Sequence, residues 1–576
     1  MVTLKKRLSS EISKRLSALS GGNAPVEDEI YDMLEYPPDS GMGDLALPCF
    51  KLSRTMKMAP PAIAAALGEG FSCEGISSCE VAGGYLNFRL SSVFYSQTVN
   101  KVIADGAKYG ASDIGKGKTV VIDYSSPNVA KPFHIGHLGT TVIGHSIKKT
   151  HEFMGYNCVG INYLGDRGTQ FGKLICAYKE WGSREEIEKG GIDKLVDLYV
   201  KINNAIGEEE KQGVTTLADK SRAEFRKMEQ GDEENLSLWR WFVDISLAEY
   251  EKTYKQLGIT FDSYKGESFY TDKMPAQVER LREKGLLKID DGASIVDLSE
   301  YNMPPCLILK KDGSTLYPTR DIAAAVYRKE TYNFDKCIYV TSAGQSLHFA
   351  QWFKVIGLMG YDFEDELVHV PYGTVSINGA KLATRTGNVI LLRDLFSLAI
   401  EKVSQIMEEK NPGLENKEET AEAVGVGAIV FYYLSNSRIK DINFVLEDAL
   451  SFEGNTGPYA QYTYARTCSI LEKANGVPTG TVSCDDFTTD EEKELAKTLS
   501  LFGEKVYSAF REYEPFIITR YILDVCAAFN RFYHECQIIT AEDEKTRRAR
   551  IILTAATRQV LSNAFDLICM KKPEKI

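Results

Sequence analysis

Four short apolar runs in the middle of the chain restrict the possible folds more than any other feature of the sequence. They are TVVIDY (119–124), CVGINYL (158–164), KCIYVTSA (336–343) and ELVHVPYG (366–373), and helical segments separate them. Strands that alternate with helices are typical of a parallel sheet covered by its crossover helices. We therefore predict a Rossmann-like, doubly wound α/β domain over residues 113–400.

Sequence of a different kind flanks and interrupts this domain. Residues 1–112 begin with an amphipathic helical pattern and end in the turn-and-strand pattern VAGGYLNFRL (81–90), so we expect a small α+β domain. Charged helical sequence over about 176–267 is interpreted as an insertion, and LKKDGST (309–315) has the Asp-Gly pattern of a hairpin. After Asp394 the sequence is helical almost to its end, which predicts an all-α C-terminal bundle. The apolar positions of the first helix are Leu4, Leu8, Ile12 and Leu16.

The composition argues against several classes of protein. A net charge of -12 over 576 residues disfavours nonspecific coating of nucleic acid, although KTRRAR (545–550) and KKPEK (571–575) are local basic patches. Twelve cysteines without a CxxC pair indicate neither a zinc site nor a disulfide framework, and we predict no metal ligands. No run approaches the roughly 18 apolar residues of a membrane span, so we expect a cytoplasmic protein that does not enter a membrane.

The segment Asp123 to Gly144, DYSSPNVAKPFHIGHLGTTVIG, is the most informative about chemistry. It leaves a predicted strand, turns through Ser-Ser-Pro-Asn and enters a helix near His134 and His137. A helix N-terminus offers unpaired N–H groups and a positive dipole end, which suit phosphate. Histidines three apart lie on one face and can reach one ligand. A lone histidine is more often structural, but the strand, turn and helix around this pair favour a phosphate site.

A second segment, GAKLATRTGN (379–388), offers Lys381 and Arg385 in a loop rich in Gly and Thr. Taken alone, this pattern is that of a polar surface loop. Together with the histidine segment it predicts a phosphate clamp.

These two segments resemble the HIGH and KMSKS signatures of the class I aminoacyl-tRNA synthetases, and along nearly the whole chain the resemblance is to the arginyl-tRNA synthetase family. Its further marks are SSPNVAKPFHIGH (125–137), GDRGTQFGKL (165–174), ESFY (267–270), LYPTRDIAAA (316–325), GQSLHFAQ (344–351) and GPYAQYTYAR (457–466). The resemblance implies ATP-dependent ligation of L-arginine to tRNA-Arg through an arginyl adenylate, with release of AMP and pyrophosphate. Mg²⁺ would accompany ATP.

The resemblance also implies roles in ATP binding and catalysis. The residues that would contact ATP are His134, Gly136, His137 and Lys381, and those that would stabilise charge during the reaction are Lys131, His134, His137, Lys381 and Arg385. The second signature reads KLATR rather than KMSKS, and Lys131, just before HIGH, fits a compensating lysine of the family. Gly139 stands where the family commonly has Arg.

Charge indicates what an arginine pocket requires. A guanidinium has five planar donors, so carboxylates placed for bidentate contact would select it over an ammonium. The acidic residues at the matching positions are Asp123 and Asp321, and in the family they surround the guanidinium together with Tyr317. The resemblance assigns the α-amino and carboxylate end to Ser126, Asn128, His137 and Gln345. Without it, Asp321 could equally be a helix N-cap and Tyr317 a strand residue.

Contacts with tRNA are likewise implied by the family. Residues 401–450 would form a helical stem-contact connector, 451–576 a helical anticodon-binding domain and 1–112 a module that touches the tRNA elbow. The candidate RNA contacts are Tyr459, Gln461, Tyr462, Asn87 and Phe88. Aromatic residues at helical spacing are more often core than RNA-stacking platforms when no resemblance supports them.

Two alternatives remain open from the sequence. A synthetase for another amino acid, such as glutamate or cysteine, is disfavoured by the acidic pair Asp123 and Asp321 and by the lack of metal ligands. A catalytically inactive tRNA-binding paralogue is disfavoured by the intact HIGH and by Lys381, whereas Ala383, Thr384 and Gly139 favour it. No heptad pattern indicates a coiled-coil dimer, so we expect a monomer.

Overall fold

The N-terminal region is a three-stranded antiparallel sheet with helices packed against it. The computed structural model describes residues 1–21, 24–377 and 390–576, together with the backbone of 380–381. The elements of this region are α1 (Val2–Ser20), α2 (Glu27–Met33), β1 (Leu45–Pro48), α3 (Ser53–Met56), α4 (Pro60–Gly68), β2 (Ile76–Ala82), β3 (Tyr85–Leu90) and α5 (Ser92–Asp105). The strand order is β1-β3-β2. The four apolar positions of α1 are all buried, which confirms the amphipathic helix.

The central sheet is parallel throughout. From its first strand onward, the elements in chain order are β4 (Thr119–Asp123), α6 (Ile135–Phe153), β5 (Asn157–Ile161), α7 (Thr169–Trp181), α8 (Arg184–Gly190), α9 (Ile192–Lys211), α10 (Thr216–Glu229), α11 (Glu233–Leu257) and α12 (Met274–Glu283). There follow β6 (Leu287–Asp290), β7 (Ala293–Val296), β8 (Cys306–Leu309), α13 (Tyr317–Tyr332), β9 (Lys336–Ser342), α14 (Ser346–Leu358), β10 (Leu367–Tyr372), β11 (Val375–Ile377) and β12 (Ala380–Lys381). All four predicted strands are present.

The strand order predicts where a ligand would bind to this sheet. The order is β10-β9-β4-β5, so the chain runs outward from β4 to β5 and then returns to β9 on the other side of β4. In such sheets the crevice lies outside the carboxyl ends of the two strands where the direction reverses. Here those ends are Asp123 of β4 and Ser342 of β9.

The insertion consists of helices α7 to α11 and is followed by a small antiparallel sheet of order β6-β7-β8. The predicted hairpin after β8 is present: Leu309 pairs with Thr315, and Gly313 has a φ of 79°, a conformation that favours glycine. The small sheet itself was not predicted.

The C-terminal part is helical, as expected. Its elements are α15 (Leu392–Lys410), α16 (Lys417–Leu434), β13 (Ile442–Phe444), α17 (Leu446–Ala449), α18 (Gly457–Lys473), α19 (Asp490–Ser500), α20 (Phe502–Glu512), α21 (Phe516–Glu535) and α22 (Glu544–Asp566). The short strand β13, which was not predicted, pairs in parallel with β11. The boundary predicted between residues 400 and 401 falls inside α15. Within the described ranges, no helix is long and apolar enough to cross a bilayer.

Candidate active site

The turn between β4 and α6 has an unusual backbone. Ser125, Ser126 and Ala130 have φ values of 73°, 48° and 59°, which side chains other than Gly rarely adopt. The turn is held by Thr140, whose Oγ1 accepts from the N–H of Ser125 at 3.1 Å and donates to the carbonyl of Val340 in β9 at 2.7 Å. Strained backbone of this kind clusters at functional sites, where the surrounding structure maintains it.

The two histidines lie at the start of α6, with one ring nitrogen each turned to the backbone. Nδ1 of His134 accepts from the N–H of Gly136 at 3.1 Å, and Nδ1 of His137 accepts from the N–H of His134 at 3.1 Å. A neutral imidazole that accepts through Nδ1 has its proton on Nε2, so each ring offers an Nε2–H donor. The ring centroids are 3.9 Å apart, which allows both donors to serve one ligand.

Both rings are held in the neutral form. Burial and then the ammonium of Lys131 lower the pKa of His134. Burial, His134 and Lys131, in that order, lower the pKa of His137 to about 3. At neutral pH the pair therefore presents hydrogen-bond donors rather than cations, at the positive end of the helix dipole.

Lys131 and Gly136 lie beside these rings. The Lys131 side chain is exposed, and no carboxylate among the described residues pairs with it. Its carbonyl accepts from the hydroxyl of Tyr250 at 2.6 Å, which fixes the backbone just before HIGH. Gly136 is partly exposed in the first turn of α6.

Gly139 lies where a larger side chain would overlap a neighbouring helix. A Cβ there would lie 2.1 Å from the hydroxyl oxygen of Tyr433 on α16. Tyr433 is 3% exposed, so its ring cannot move aside into solvent. The close approach of α6 to α16 at this point therefore favours glycine.

The segment that carries the second signature is joined to HIGH where it re-enters the described chain. The N–H of Ile135 donates to the carbonyl of Ile390 at 3.4 Å, and the N–H of Leu392 donates to the carbonyl of Phe133 at 2.9 Å. Lys381 belongs to β12, of which the backbone is described, and Arg385 lies outside the described residues.

Asp123, at the carboxyl end of β4, is already engaged by side chains of the protein. Its Oδ2 pairs with Nη2 of Arg328 at 2.7 Å, and its Oδ1 accepts from Oγ of Ser126 at 2.8 Å. The side chains of Arg328 and Asp123 are 1% and 7% exposed. The charge of Asp123 is thus countered inside the fold, and sequence reasoning did not identify Arg328.

The start of α13 presents the other predicted arginine contacts. Tyr317, the first residue of this helix, is 66% exposed, so the strand alternative for it is wrong. Asp321 lies within the helix rather than at its N-cap, which is Leu316. Oδ2 of Asp321 lies 2.6 Å from Nε2 of His348 at the start of α14, so the α13 site is tied to the segment that follows β9.

A second carboxylate lies near Asp321. Glu267 pairs with Nη1 of Arg320 at 2.5 Å. Burial raises the pKa of Glu267 to about 7; Arg320 opposes this rise and Asp321 adds to it. The sequence pattern ESFY contained this residue, but only the structure places it beside α13.

The remaining predicted substrate contacts lie at the same edge of the sheet. Asn128 is exposed and pairs through its backbone with Gly165, and Gln345 is exposed in the short turn that follows β9. Ser126 is partly exposed, and its Oγ also accepts from the N–H of Tyr163 at 3.2 Å. All three residues follow β4 or β9, the two strands between which the order of strand addition along the chain reverses.

The predicted anticodon contacts differ in exposure. Tyr462 is 43% exposed, and the guanidinium of Arg466 lies between its ring, at 5.1 Å, and that of Tyr533, at 4.9 Å. Tyr459 is partly exposed, and its hydroxyl accepts from Nδ2 of Asn530 at 2.8 Å. Arg466 and Tyr533 were not identified from the sequence.

Gln461 contradicts the prediction that it contacts RNA. Its side chain is 0% exposed, and its Nε2 donates to the carbonyls of Ala423 at 3.0 Å and Lys571 at 2.9 Å. It joins α18 to α16 and to the C-terminal segment, and is therefore structural.

The two residues predicted to contact the tRNA elbow are buried. Phe88 is 0% and Asn87 8% exposed on β3, and Phe88 belongs to the hydrophobic core, so the prediction that Phe88 contacts RNA is contradicted. Phe50 and Tyr85 of this region are exposed, at 53% and 37%, and their ring centroids are 5.3 Å apart.

Three family models match successive parts of the chain. The model of arginyl-tRNA synthetase N-terminal domains matches residues 4–90, that of the class I tRNA synthetase (R) catalytic domain matches residues 98–446, and that of the DALR anticodon binding domain matches residues 460–576. The arginine--tRNA ligase of Alkaliphilus metalliredigens is 50% identical over 98% of this chain and 100% of its own length.

A second relative and a solved structure extend the comparison. The arginine--tRNA ligase of Clostridioides difficile is 47% identical over the whole of both chains. The structure of Thermus thermophilus arginyl-tRNA synthetase superposes with a TM-score of 0.84 at 24% identity, covers 100% of each chain and confirms the predicted fold. By sequence and by fold, this chain belongs to the arginyl-tRNA synthetase family.

Proposed function

We propose that this chain joins L-arginine to tRNA-Arg in two steps, through an arginyl adenylate, with release of pyrophosphate and then AMP. The proposal rests on two groups of residues that follow the strands at the reversal point of the sheet. They are the Nε2–H donors of His134 and His137, which follow β4, and the carboxylate of Asp321, which pairs with His348 after β9. The first group suits a triphosphate and the second a guanidinium. Family membership supports both assignments.

In the first step the arginine carboxylate attacks the α-phosphorus of ATP and pyrophosphate leaves. This carboxylate is ionised at neutral pH, so the step requires no strong general base. His134 and His137 would donate to phosphate oxygens as negative charge shifts towards the leaving group, assisted by Lys131, Lys381 and Arg385. Catalysis would come from positioning and from fixed donors, not from proton transfer.

Mg²⁺ is proposed only as the counter-ion that enters with ATP. In the described part of the chain, no group of three or more His, Cys, Asp or Glu side chains could hold a metal ion. Phosphate oxygens are its usual ligands in such sites. We therefore assign no step of the reaction to a protein-bound metal.

For the arginine substrate we propose Asp321 and Tyr317 as the guanidinium contacts. Asp321 and its partner His348 are 20% and 28% exposed, whereas Asp123 is 7% exposed and paired with the buried Arg328. Asp123 would then shape the pocket by fixing Ser126, which with Asn128, His137 and Gln345 would hold the α-amino and carboxylate end.

In the second step the 2′-hydroxyl of the terminal adenosine of tRNA attacks the adenylate carbonyl. Residues 451–576 would hold the anticodon, with Tyr462 and Tyr533 as stacking platforms around Arg466 and with Tyr459 beside them. Residues 1–112 would touch the elbow through Phe50 and Tyr85, which replace Phe88 in this role. The connector would begin with α15, and we propose a monomer that acts in the cytoplasm.

The experiment that tests the function is pyrophosphate exchange with each of the common amino acids, with and without total tRNA. We expect exchange with arginine alone, and dependence on tRNA would indicate that RNA completes the site. Exchange with another amino acid would contradict the assignment. No exchange with any of them in the presence of tRNA would favour the inactive tRNA-binding alternative.

A further inference from the structure

The side chain of Arg438, in the turn after α16, joins two distant parts of the molecule. Its Nη1 donates to the carbonyl of Pro371 at 2.6 Å, and its Nε donates to the carbonyl of Tyr513 at 3.0 Å. Pro371 lies in β10, at the edge of the parallel sheet, and Tyr513 caps α20 in the region that matches the anticodon binding domain. A planar guanidinium with donors along two edges can make both contacts at once.

The backbone of the same turn strengthens this junction. The N–H of Arg438 donates to Oε1 of Glu514 at 3.0 Å, and Oγ of Ser437 donates to Oε2 of Glu514 at 3.0 Å. On the other side, the carbonyl of Arg438 accepts from the N–H of Gly373 at 2.8 Å. The turn is therefore held by the C-terminal helices and in turn holds the end of β10.

From Gly373 the chain leads directly to the lysine of the second signature. The N–H of Thr374 donates to Oδ1 of Asp441 at 2.7 Å, and β11 then runs parallel to β13. β12 is antiparallel to β11, with Ser376 opposite Lys381. The backbone of Lys381 thus belongs to a small sheet whose other member, β13, follows the Arg438 turn.

We propose that Arg438 is a positioning residue, which sets the backbone of Lys381 according to the position of the C-terminal helices. The inference rests on the proposed function, because it requires Lys381 to act on ATP and the C-terminal helices to hold tRNA. Movement of the turn between α20 and α21 would pull on Arg438 through Tyr513 and Glu514. Arg438 would transmit this movement to β10 and β11, so that bound tRNA favours the position of Lys381 that is productive for ATP.

The same turn makes a second contact that leads elsewhere and provides a control. The hydroxyl of Tyr513 accepts from Nζ of Lys336 at 2.7 Å. Lys336 is the first residue of β9, at the end of the sheet opposite the candidate active site. Tyr513→Phe therefore weakens the same interface without affecting the route to Lys381.

The test is steady-state arginylation by the purified full chain, with the dissociation constant for tRNA and the melting temperature measured in parallel. Lysine cannot reproduce the two-sided contact of the guanidinium, so Arg438→Lys should lower kcat about tenfold, within the usual range of site-to-site coupling, with little change in tRNA binding. Glu514→Ala should cause a similar loss, and the double variant should be no worse than either single one, because both act on one route. Tyr513→Phe should stay within about twofold of wild type.

Several results would overturn the inference. Equal effects of Arg438→Lys and Tyr513→Phe on kcat, or losses that multiply in the double variant of Arg438 and Glu514, would show that no such route exists. A lower melting temperature with unchanged kcat would make Arg438 a structural residue only. Absence of arginylation by the wild-type chain would refute the proposed function itself, and this inference with it.

Discussion

At His134 and His137, one nitrogen of each imidazole is used by the backbone and the other is left as a donor. Nδ1 accepts in both rings, and the pKa of His137 is lowered to about 3, mainly by burial. The rings therefore resemble an oxyanion hole more closely than a pair of cations, since fixed donors need no reorganisation when charge develops.

This role predicts which substitutions at His137 preserve activity. Removal of a donor of this kind lowers kcat about a hundredfold, so the rate of pyrophosphate exchange by His137→Ala should be about a hundredfold below that of wild type. Glutamine keeps an N–H near the position of Nε2, so His137→Gln should recover part of the loss. Equal rates for wild type and His137→Ala would rule out the proposed role. If His137→Gln were as poor as His137→Ala, a donor at Nε2 would not be the important feature.

The two predicted arginine carboxylates should respond differently to isosteric neutralisation. Asp321→Asn should raise KM for arginine and lower kcat/KM about tenfold or more, as expected for a lost charged hydrogen bond. Asp123→Asn leaves the buried guanidinium of Arg328 unpaired, which should cost about 3–5 kcal/mol of unfolding free energy. Arginine titrations and denaturant unfolding of both variants measure the two effects. A stable Asp123→Asn enzyme with a raised KM for arginine would make Asp123 the substrate contact instead.

Arg328 illustrates what sequence could not supply at this scale. Its segment, AAAVYRKE, is an ordinary helical pattern in which a charged residue is expected to face solvent. Its burial follows from Asp123, which is distant in sequence and becomes a neighbour only when α13 packs against β4. The predictions that Gln461 and Phe88 contact RNA were wrong for the converse reason. Both residue types suit RNA contacts, but these two side chains, on α18 and β3, face the interior.

At the scale of elements, α6 connects HIGH to the rest of the molecule, and its glycines allow close packing. Gly139 faces Tyr433 of α16, and a Cβ at Gly144 would lie 2.2 Å from Cβ of Tyr124. These contacts bring helix and strand close together and fix the start of α6 relative to β4. The sequence showed the helix, but not which of its faces needed glycine.

Alanine substitutions at glycine test this packing. Gly139→Ala should destabilise the protein by about 1–3 kcal/mol, because the new methyl group overlaps the hydroxyl of Tyr433. Tyr433→Phe in the same chain removes that hydroxyl and should recover part of the loss. Gly207→Ala is the control: Gly207 lies in α9 with open space around its Cβ position, so the change should be neutral or stabilise by up to about 1 kcal/mol. Equal effects at the two glycines, measured by thermal unfolding, would contradict the contact.

For the molecule as a whole, the sequence predicted the architecture well because its dominant patterns are periodic. Strands β4, β5, β9 and β10 are continuous apolar runs, and the C-terminal helices have aromatic residues at helical spacing. The pairing of β11 with β13 could not be predicted, since both are three residues long and distant in sequence. That pairing nevertheless joins the second signature to the C-terminal half of the chain.

The whole molecule should also lose stability in mild acid, because two histidines further along α6, His145 and His151, are buried. Burial is the main cause that lowers the pKa of His145 to about 3 and that of His151 to about 4, from an ordinary value of 6.5. Between those values the unfolded chain binds protons that the folded chain does not, so stability is complete above pH 6.5 and falls as the pH drops below it. From pH 6.5 to 5.5 each such histidine should lower the free energy of unfolding by about 1 kcal/mol. Glu267, whose pKa is raised to about 7 mainly by burial, binds a proton in the folded chain over the same range and should offset about one histidine.

Melting temperatures at pH 7.5, 6.5 and 5.5 would measure this loss, and one substitution would assign it. His151 is 1% exposed, and its ring centroid lies 4.7 Å from that of Phe510 and 5.8 Å from that of Tyr513, so phenylalanine would keep an aromatic ring in this site. His151→Phe removes one buried titrating group and should reduce the fall between pH 6.5 and 5.5. His534→Asn, at an exposed position on α21, should leave that fall unchanged. If the melting temperature of His151→Phe fell as much as that of wild type between pH 6.5 and 5.5, the acid sensitivity would come from other groups. Burial of His151 in its neutral form would then not contribute to it.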